Sequence, residues 1–258
     1  MILAILQARM SSSRLPGKVL LPVLGEPMIL RQIERLRKVR NIDRLLVATS
    51  AETADDEIEN LCKQHAIDCF RGNLNDVLDR FYQAAVSHHP DHVVRLTADC
   101  PLADPGLIDQ VIEFYLAGGY DYASNSIQPT FPDGLDVEIC RFACLEQAWR
   151  EAGLPSQREH VMPFIHQQPE RFNIGHFFNR EDLSHLRWTV DEPRDFELVS
   201  QIYAALYPAN PDFATSDILR LLAERPELAN WNTQHRRNEG YLKSLAADAP
   251  QPSNPASE

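Results

Sequence analysis

Residues 2–18 read ILAILQARMSSSRLPGK, and this stretch decides the fold of the chain. Its first five residues are a continuous apolar run, typical of a strand that is buried on both faces of a parallel sheet. The polar and basic residues 7–18 then connect this strand to the next apolar segment. Ligands of open α/β sheets bind at the carboxyl ends of the strands, so the connection is predicted to be a binding loop.

Short apolar runs continue to alternate with helical periodicity as far as residue 119. Further strands are predicted at 45–49, 68–70 and 92–96, and helices near Met28, Asp55, Val77 and Asp104. Such repetition predicts an α/β fold with a doubly wound, mostly parallel, Rossmann-like sheet.

The pattern changes between residues 121 and 178. Residues 135–139 alternate with period two, helices are predicted at 144–151 and 158–166, and 172–178 has an extended pattern. We interpret 121–178 as an insertion that leaves the main sheet and forms a lid or a dimer contact. Its apolar residues favour a homodimer; they are Ile127, Phe131, Leu135, Val137 and Ile139.

The remaining chain is mainly helical from Arg194 onward. We therefore expect one domain over residues 1–245 and a disordered tail over 246–258, where Pro, Ser and Ala dominate.

Composition limits the possible classes of protein. The chain has 258 residues, 44% of them hydrophobic, and no apolar run long enough to span a bilayer, so we expect neither a membrane protein nor a signal peptide, and a cytoplasmic location. Its five cysteines include no CxxC pair, which argues against a disulfide framework and a zinc knuckle.

The charge is unevenly distributed along the chain. Residues 1–44 hold nine Lys or Arg against three Asp or Glu, a balance of +6, although the formal net charge is −12. An acidic protein is poorly suited to nucleic acid, whereas a local basic loop suits a small polyanion such as a nucleoside triphosphate.

The loop itself has the chemistry of a phosphate site. Its serines and backbone N–H groups can donate to phosphate oxygens, and Arg9, Arg14 and Lys18 add positive charge. The sequence is neither a Walker A motif nor GxGxxG, which disfavours P-loop NTPases and dinucleotide enzymes. A solvated basic turn is the alternative interpretation.

Two acids follow apolar runs elsewhere in the chain. Asp99 lies just past the strand predicted at 92–96, and Asp191 follows the apolar run Trp188-Thr189-Val190. Each acid is therefore predicted at the carboxyl end of a strand, where a carboxylate can bind Mg²⁺. The alternative is that these acids cap helices. Asp99 could cap the helix that follows it, and Asp191 or Asp195 could cap the next helix along the chain from there.

The residues 8–20, ARMSSSRLPGKVL, followed by LGEPMI at 24–29, resemble the nucleotide-binding signature of sugar cytidylyltransferases, the enzymes that activate KDO and sialic-type acids with CTP. The segments around Asp99 and Asp191 resemble the metal-binding segments of the same family. The arrangement is most similar to the branch named for spore coat polysaccharide biosynthesis protein F.

The resemblance implies a fold of the nucleotide-diphospho-sugar transferase type and an Mg²⁺ ion held by Asp99 and Asp191. It implies that Lys18, Arg9 and Arg14 are catalytic. The implied nucleotide-binding residues are Ala8, Arg9, Met10, Ser12, Ser13, Arg14, Lys18, Gly72 and Thr97.

The implied reaction transfers CMP from CTP to an acidic sugar or related acceptor, releases pyrophosphate and serves surface polysaccharide biosynthesis, in an enzyme that pairs as a homodimer. The predicted acceptor contacts are Asp133, Asp136, Glu138, Arg158 and His160, each of which also has an ordinary interpretation as a surface or helix-terminal residue. Thr97 and Ala98 depart from the KDO enzymes, so the contacts of those enzymes with their acceptor do not carry over.

Two alternatives remain at this point. A glycosyltransferase of the GT-A type is expected to have a DxD motif, and Asp99 has no acid two residues away. A non-catalytic nucleotide-binding protein could keep the basic loop without turnover.

Overall fold

A seven-stranded sheet lies at the centre of the computed structural model, which describes residues 1–232, Gln234, Arg237 and 239–248. In chain order the strands of the molecule are β1 (Ile2–Gln7), β2 (Pro22–Val23), β3 (Glu26–Pro27), β4 (Arg44–Ser50), β5 (Asp68–Gly72), β6 (His92–Thr97), β7 (Tyr122–Ser124), β8 (Glu138–Arg141) and β9 (Ile174–His176). The main sheet has the order β5-β4-β1-β6-β8-β7-β9, and β2 and β3 form a separate hairpin. Only β8 runs against its neighbours, so the sheet is mostly parallel as predicted.

Helices connect the strands and cover both faces of the sheet. They are α1 (Met28–Leu36), α2 (Asp56–Gln64), α3 (Val77–Val86), α4 (Pro105–Gly118), α5 (Phe142–Glu151), α6 (Pro155–His160), α7 (Pro163–His166), α8 (Pro193–Leu206), α9 (Thr215–Glu224), α10 (Pro226–Ala229) and α11 (Glu239–Asp248). None of the helices in the described part of the chain combines the length and the apolar character needed to cross a membrane.

The core explains why the first strand is apolar throughout. Ile2, Ala4 and Leu6 pack into the hydrophobic cluster on one face of the sheet, with residues of α1, α4 and α8, whereas Leu3 and Ile5 pack into the cluster on the other face, with residues of α3 and α5. Successive side chains of a strand point to opposite faces, so a strand covered by helices on both sides must be apolar at every position.

The segment 121–178 corrects the interpretation from sequence. It does not leave the main sheet, because it supplies β7, β8 and β9 of that sheet. Phe131, Leu135, Val137 and Ile139 are buried in the monomer core, so they offer no apolar surface to a second copy. The homodimer stays a prediction, but its argument from these side chains is removed.

Two predicted elements have different bounds. The helix predicted at 158–166 is divided into α6 and α7 at Val161, where φ is +71° and ψ is −57° and where Met162 N donates to His160 O at 2.8 Å. This is a γ-turn of the rare, strained kind, and Pro163 at the start of α7 cannot continue the preceding helix. The strand predicted at 135–139 begins only at Glu138.

At the C-terminus, helix α11 extends to Asp248, three residues past the predicted domain boundary. The rest of the predicted tail, 249–258, lies outside the described residues.

Candidate active site

An open cleft of about 760 Å³ lies at the carboxyl ends of β1 and β6. The loop that follows β1 forms one wall, and the segment 187–191 together with residues 133–138 forms another. Residues of α6 and α11 line the remaining side. The cleft therefore lies where the topology of an open parallel sheet predicts a ligand.

The loop after β1 is held by its own backbone and by one buried acid. Met10 O accepts from Ser12 N at 2.9 Å and from Gly17 N at 3.0 Å, and Gly17 has φ +70°, a conformation that glycine adopts without strain. The carboxylate of Asp55 accepts from Met10 N at 2.7 Å and from Ser50 N at 3.0 Å. Asp55 therefore fixes the start of the loop to the end of β4, a role that the sequence pattern did not reveal.

Lys18 brings the two predicted metal-binding acids together. Its Nζ donates to Asp99 Oδ2 at 3.1 Å, to Asp191 Oδ1 at 2.8 Å and to Val190 O at 2.7 Å. The backbone supports this contact, because Val190 N donates to Asp99 O at 2.8 Å. Residues 18, 99 and 191 of the sequence thus converge on one point in the cleft.

The charges at this point stabilise one another. Burial alone would lower the pKa of Lys18, but the carboxylates of Asp99 and Asp191 outweigh burial and raise it above its ordinary value. Burial likewise opposes the ionised form of Asp99, yet the Lys18 ammonium holds the pKa of that carboxyl well below its usual range. Lys18 is therefore cationic and Asp99 anionic at neutral pH.

The capping contacts at α4 and α8 show which acids cap a helix and which face the cleft. Asp104, not Asp99, caps α4, because its side chain accepts from Gly106 N and Leu107 N. Asp195 accepts from Glu192 N at 2.9 Å at the start of α8, so Asp195 makes the capping contact there. The carboxylates of Asp99 and Asp191 face the cleft instead.

Arg187 organises the wall that carries Asp191. It is 7% exposed, and its guanidinium bonds Asp195 through two nitrogens, Asp133 Oδ2 at 2.9 Å and Asp191 Oδ2 at 3.2 Å. Gly134 allows this wall to close, since a Cβ there would lie 2.4 Å from Thr189 N. Arg187 was not among the predicted site residues, because an Arg directly before a short apolar run is a weak signal. The strand predicted at 188–190 does not form; the structure has only an isolated bridge between Asp133 and Arg187 there.

Most of the predicted nucleotide-binding residues line the cleft. They are Ala8, Arg9, Ser12, Ser13, Arg14, Lys18 and Thr97. Arg14 contacts Asp191 Oδ2 at 2.9 Å and Glu239 at 3.3 Å. Met10 and Gly72 do not line it: Met10 packs against the hydrophobic core, and Gly72 lies at the end of β5 against Arg80. Met10 belongs to the loop by its position in the sequence, but its side chain packs against the core and does not line the cleft.

Four of the five predicted acceptor contacts also line the cleft. They are Asp133, Asp136, Glu138 and His160. Glu138 is paired with Arg95 and accepts from Tyr122 Oη at 2.7 Å. Burial lowers the pKa of His160, with the nearby Arg95 charge adding to this effect, so the ring is neutral at pH 7.

Arg158 is the exception among these five. Its Nε bonds Asp76 Oδ1 at 3.0 Å, and its NH1 bonds Trp149 O at 2.7 Å. Asp76 caps α3, so Arg158 fastens α6 to α3 and does not reach the cleft. These contacts give Arg158 a structural role, and its predicted role in substrate binding stays a prediction that the geometry does not support.

Helix α11 was missed as part of the site. Ser244 Oγ lies 3.0 Å from His160 Nε2 and donates to Glu159 Oε2 at 2.6 Å, and Tyr241 Oη accepts from Gln167 at 2.7 Å. Tyr241, Lys243 and Ser244 line the cleft. Helix α11 lies some 220 residues after the loop in the sequence, and no local pattern indicates that this helix packs beside the loop.

A divalent cation fits the acids that are present. Within the described residues no group of three or more His, Cys, Asp or Glu is arranged to hold a metal ion. Mg²⁺, however, is usually bound by one or two carboxylates together with substrate phosphates. Asp99 and Asp191 supply two carboxylates that converge within hydrogen-bond distance of one cationic centre, so they suit such an ion.

Comparisons with known proteins agree with this geometry. The chain is 32% identical over 235 residues to the spore coat polysaccharide biosynthesis protein SpsF of Bacillus subtilis, covering 88% of this chain and 96% of that protein. A cytidylyltransferase structure from Leptospira borgpetersenii superposes with a TM-score of 0.85 at 31% identity, over 91% of this chain and 99% of that one.

A second solved structure shares the fold. CMP:2-keto-3-deoxy-manno-octonic acid synthetase complexed with CTP superposes with a TM-score of 0.62 at 20% identity, over 79% of this chain and 98% of that one. The family model described as cytidylyltransferase matches residues 3–224, which include the loop, Asp99 and Asp191. The chain therefore belongs to the cytidylyltransferase family.

Proposed function

We propose that the protein transfers CMP from CTP to a hydroxyl group of an acidic sugar or a related acceptor and releases pyrophosphate, in the biosynthesis of a surface polysaccharide or glycan. The observation that carries the proposal is the convergence of Lys18, Asp99 and Asp191 beside a basic loop at the carboxyl end of the sheet. Family membership supports the nucleotidyl transfer, and the names of the relatives support the class of acceptor.

In this reaction the acceptor oxygen bonds to the α-phosphorus of CTP, and the bond from that phosphorus to the β-phosphate oxygen breaks. The acceptor proton leaves to solvent, so no covalent protein intermediate is needed. Nucleotidyl transfer depends mainly on alignment and on neutralising charge. We assign Arg9, Ser12, Ser13 and Arg14 to the triphosphate, with Lys18 on the departing pyrophosphate.

Asp99 and Asp191 are the residues proposed to hold Mg²⁺. When bound, this ion would polarise the α-phosphate and lower the pKa of the acceptor hydroxyl. Arg187 orients Asp191, and the backbone contact of Val190 with Asp99 keeps the two acids at a fixed separation.

The acceptor is proposed to bind beyond the α-phosphate, where Asp136, Glu138 and His160 line the cleft. Carboxylate oxygens can accept from sugar hydroxyls, and a neutral imidazole can both accept from and donate to them.

We further propose that the enzyme acts in the cytoplasm and that it is a homodimer. Light scattering at micromolar concentration tests the oligomeric state directly.

The deciding experiment measures pyrophosphate release. The protein is incubated with each of the four nucleoside triphosphates, Mg²⁺ and a panel of acidic sugars that includes 3-deoxy-manno-octulosonate. We expect release with CTP only, and an exposed-acid variant such as Asp212→Asn should match the wild type. Release that requires no acceptor, or none with any nucleotide, contradicts the proposal, and the second result favours the non-catalytic alternative.

A binding measurement tests the choice of base independently of the acceptor. A ligand that binds only the native state raises its stability by mass action, so at 100 times its Kd the gain is about 2.7 kcal/mol. We expect CTP to raise the melting temperature more than ATP, GTP or UTP does. Equal shifts from all four would rule out specificity for cytosine.

A further inference from the structure

The ammonium group of Lys18 is fully satisfied by the site that it occupies. An ammonium has three N–H donors, and the three acceptors of Lys18 are Asp99 Oδ2, Asp191 Oδ1 and Val190 O, all within 3.1 Å. Lys18 itself is buried. The cationic nitrogen thus lies at the point where the two carboxylates converge.

The second oxygen of Asp191 is also engaged by cations. Asp191 Oδ2 lies 2.9 Å from NH2 of Arg14 and 3.2 Å from NH2 of Arg187. Three positive side chains therefore share one carboxylate. A divalent ion that binds both acids would lie beside the Lys18 ammonium and close to the Arg14 guanidinium, so it must enter against their positive charge.

The three cations differ in how readily they can leave. Arg187 is fixed by a two-nitrogen contact with the fully buried Asp195, so it stays with Asp191. Lys18 and Arg14 belong to the loop after β1, and their contacts in this part of the cleft are ones that phosphate oxygens can replace. A triphosphate carries several negative charges and offers both side chains new partners.

We propose that Lys18 occupies the place of the divalent cation in the nucleotide-free protein, and that the phosphates of the nucleotide must draw Lys18 away before the metal can bind both Asp99 and Asp191. The metal then enters with the nucleotide and not before it. This inference rests on the metal site of the proposed function, and it adds an order of assembly and a second role for Lys18.

The test measures metal binding without turnover. Mn²⁺ is titrated into the nucleotide-free protein, and free Mn²⁺ is followed by its electron paramagnetic resonance signal. We expect weak binding to the wild type and binding tighter by roughly 5- to 150-fold in Lys18→Met, the range of typical couplings between two sites. Lys18→Gln, which keeps a donor for the carboxylates, covers the case in which Lys18→Met does not fold.

Lys243 supplies the matched control. It is an exposed lysine of α11 that lines the same cleft, so Lys243→Met removes the same charge without removing the contacts of Lys18. A gain in Lys18→Met that Lys243→Met does not share supports displacement at the site. Equal gains in Mn²⁺ affinity in the two variants would mean that only the overall electrostatic potential of the cleft has changed, which overturns the inference.

Two further results separate this inference from the proposed function. Asp99→Asn in the Lys18→Met background should abolish the gained binding; if the gain persists, the metal binds elsewhere and the proposed metal site is wrong. Tight Mn²⁺ binding by the nucleotide-free wild type overturns the order of assembly alone. Absence of pyrophosphate release from CTP, with the Mn²⁺ results as expected, overturns the proposed reaction and leaves the role of Lys18 standing.

Discussion

The loop after β1 and the segment 187–191 face the same cleft but hold their charges differently. Arg187 is buried, and each hydrogen bond of its guanidinium goes to an acid of the same wall. Arg14 is 29% exposed at its side chain and contacts acids from three separate positions, two of them through single long contacts. Buried, matched pairs hold a geometry, whereas exposed pairs can exchange a carboxylate for a phosphate at small cost.

The largest effect is expected where the two walls meet. Asp99→Asn and Asp191→Asn each keep the size and a hydrogen-bond acceptor but remove the negative charge, so turnover should be lost. The melting temperature should fall only moderately, because the buried Lys18 keeps the other carboxylate and Val190 O as partners. Pyrophosphate release and thermal unfolding are measured on the same samples, with Asp212→Asn as the exposed control. A variant that melts far lower yet turns over once folded would show that its acid is structural.

The second prediction compares how much Arg187 and Arg14, one from each wall, contribute to the free energy of unfolding. Arg187→Met leaves Asp195 and Asp133 buried without the positive charge of Arg187, and breaking a buried pair in this way costs about 3–5 kcal/mol. Arg14→Met removes more exposed pairs and should cost about 0–1 kcal/mol. Urea unfolding of both variants measures the difference. Similar losses in the two would mean that the loop is as much a structural element as the opposite wall.

The third prediction concerns Lys18, which belongs to the loop but contacts the other wall. Lys18→Ala should lower kcat by ~10²-fold or more, the scale for losing one well-placed charge-stabilising donor. Lys18→Arg restores charge but not the compact geometry, so it should recover only part of the loss. A rise in KM for CTP at constant kcat would instead indicate binding that is equal in the ground and transition states.

The difference between the walls also explains what the sequence could predict. Strands such as β1 and helices such as the one predicted near Asp104 follow from local rules of periodicity and helix termini, and these predictions are confirmed. Lys18 was predicted from the basic loop, and Asp99 and Asp191 from the apolar runs that precede them. The resemblance of these segments to one family assigned all three residues to the same site.

The errors have a common physical cause. Whether an apolar residue such as Val137 faces solvent or the core depends on which strand pairs with β6, and that pairing is long-range. Arg158 and Arg187 are both arginines near acids, yet one fastens two helices and the other orients the site. Only the three-dimensional partners distinguish them, and no local pattern records those partners.

The smallest expected effect is a pH dependence of the free energy of unfolding. It arises from Asp136, which lies in the wall of the cleft that also contains Arg187. Burial raises the pKa of this carboxyl to about 7, with Asp133 and Glu138 adding to the shift and Arg237 opposing it.

In the unfolded chain an Asp titrates near 3.9, so the folded state binds the additional proton between about pH 4 and pH 7. The contribution of this group to the free energy of unfolding is therefore fully present below pH 4 and is lost as the pH rises through 7. Asp136→Asn keeps an acceptor for Arg237 but cannot ionise, so its free energy of unfolding should fall less than that of the wild type from pH 5 to pH 7.5, by about 2 kcal/mol. Urea unfolding at several pH values measures this, with the exposed Asp182→Asn as control, and parallel curves for Asp136→Asn and the wild type would show that Asp136 is ionised throughout.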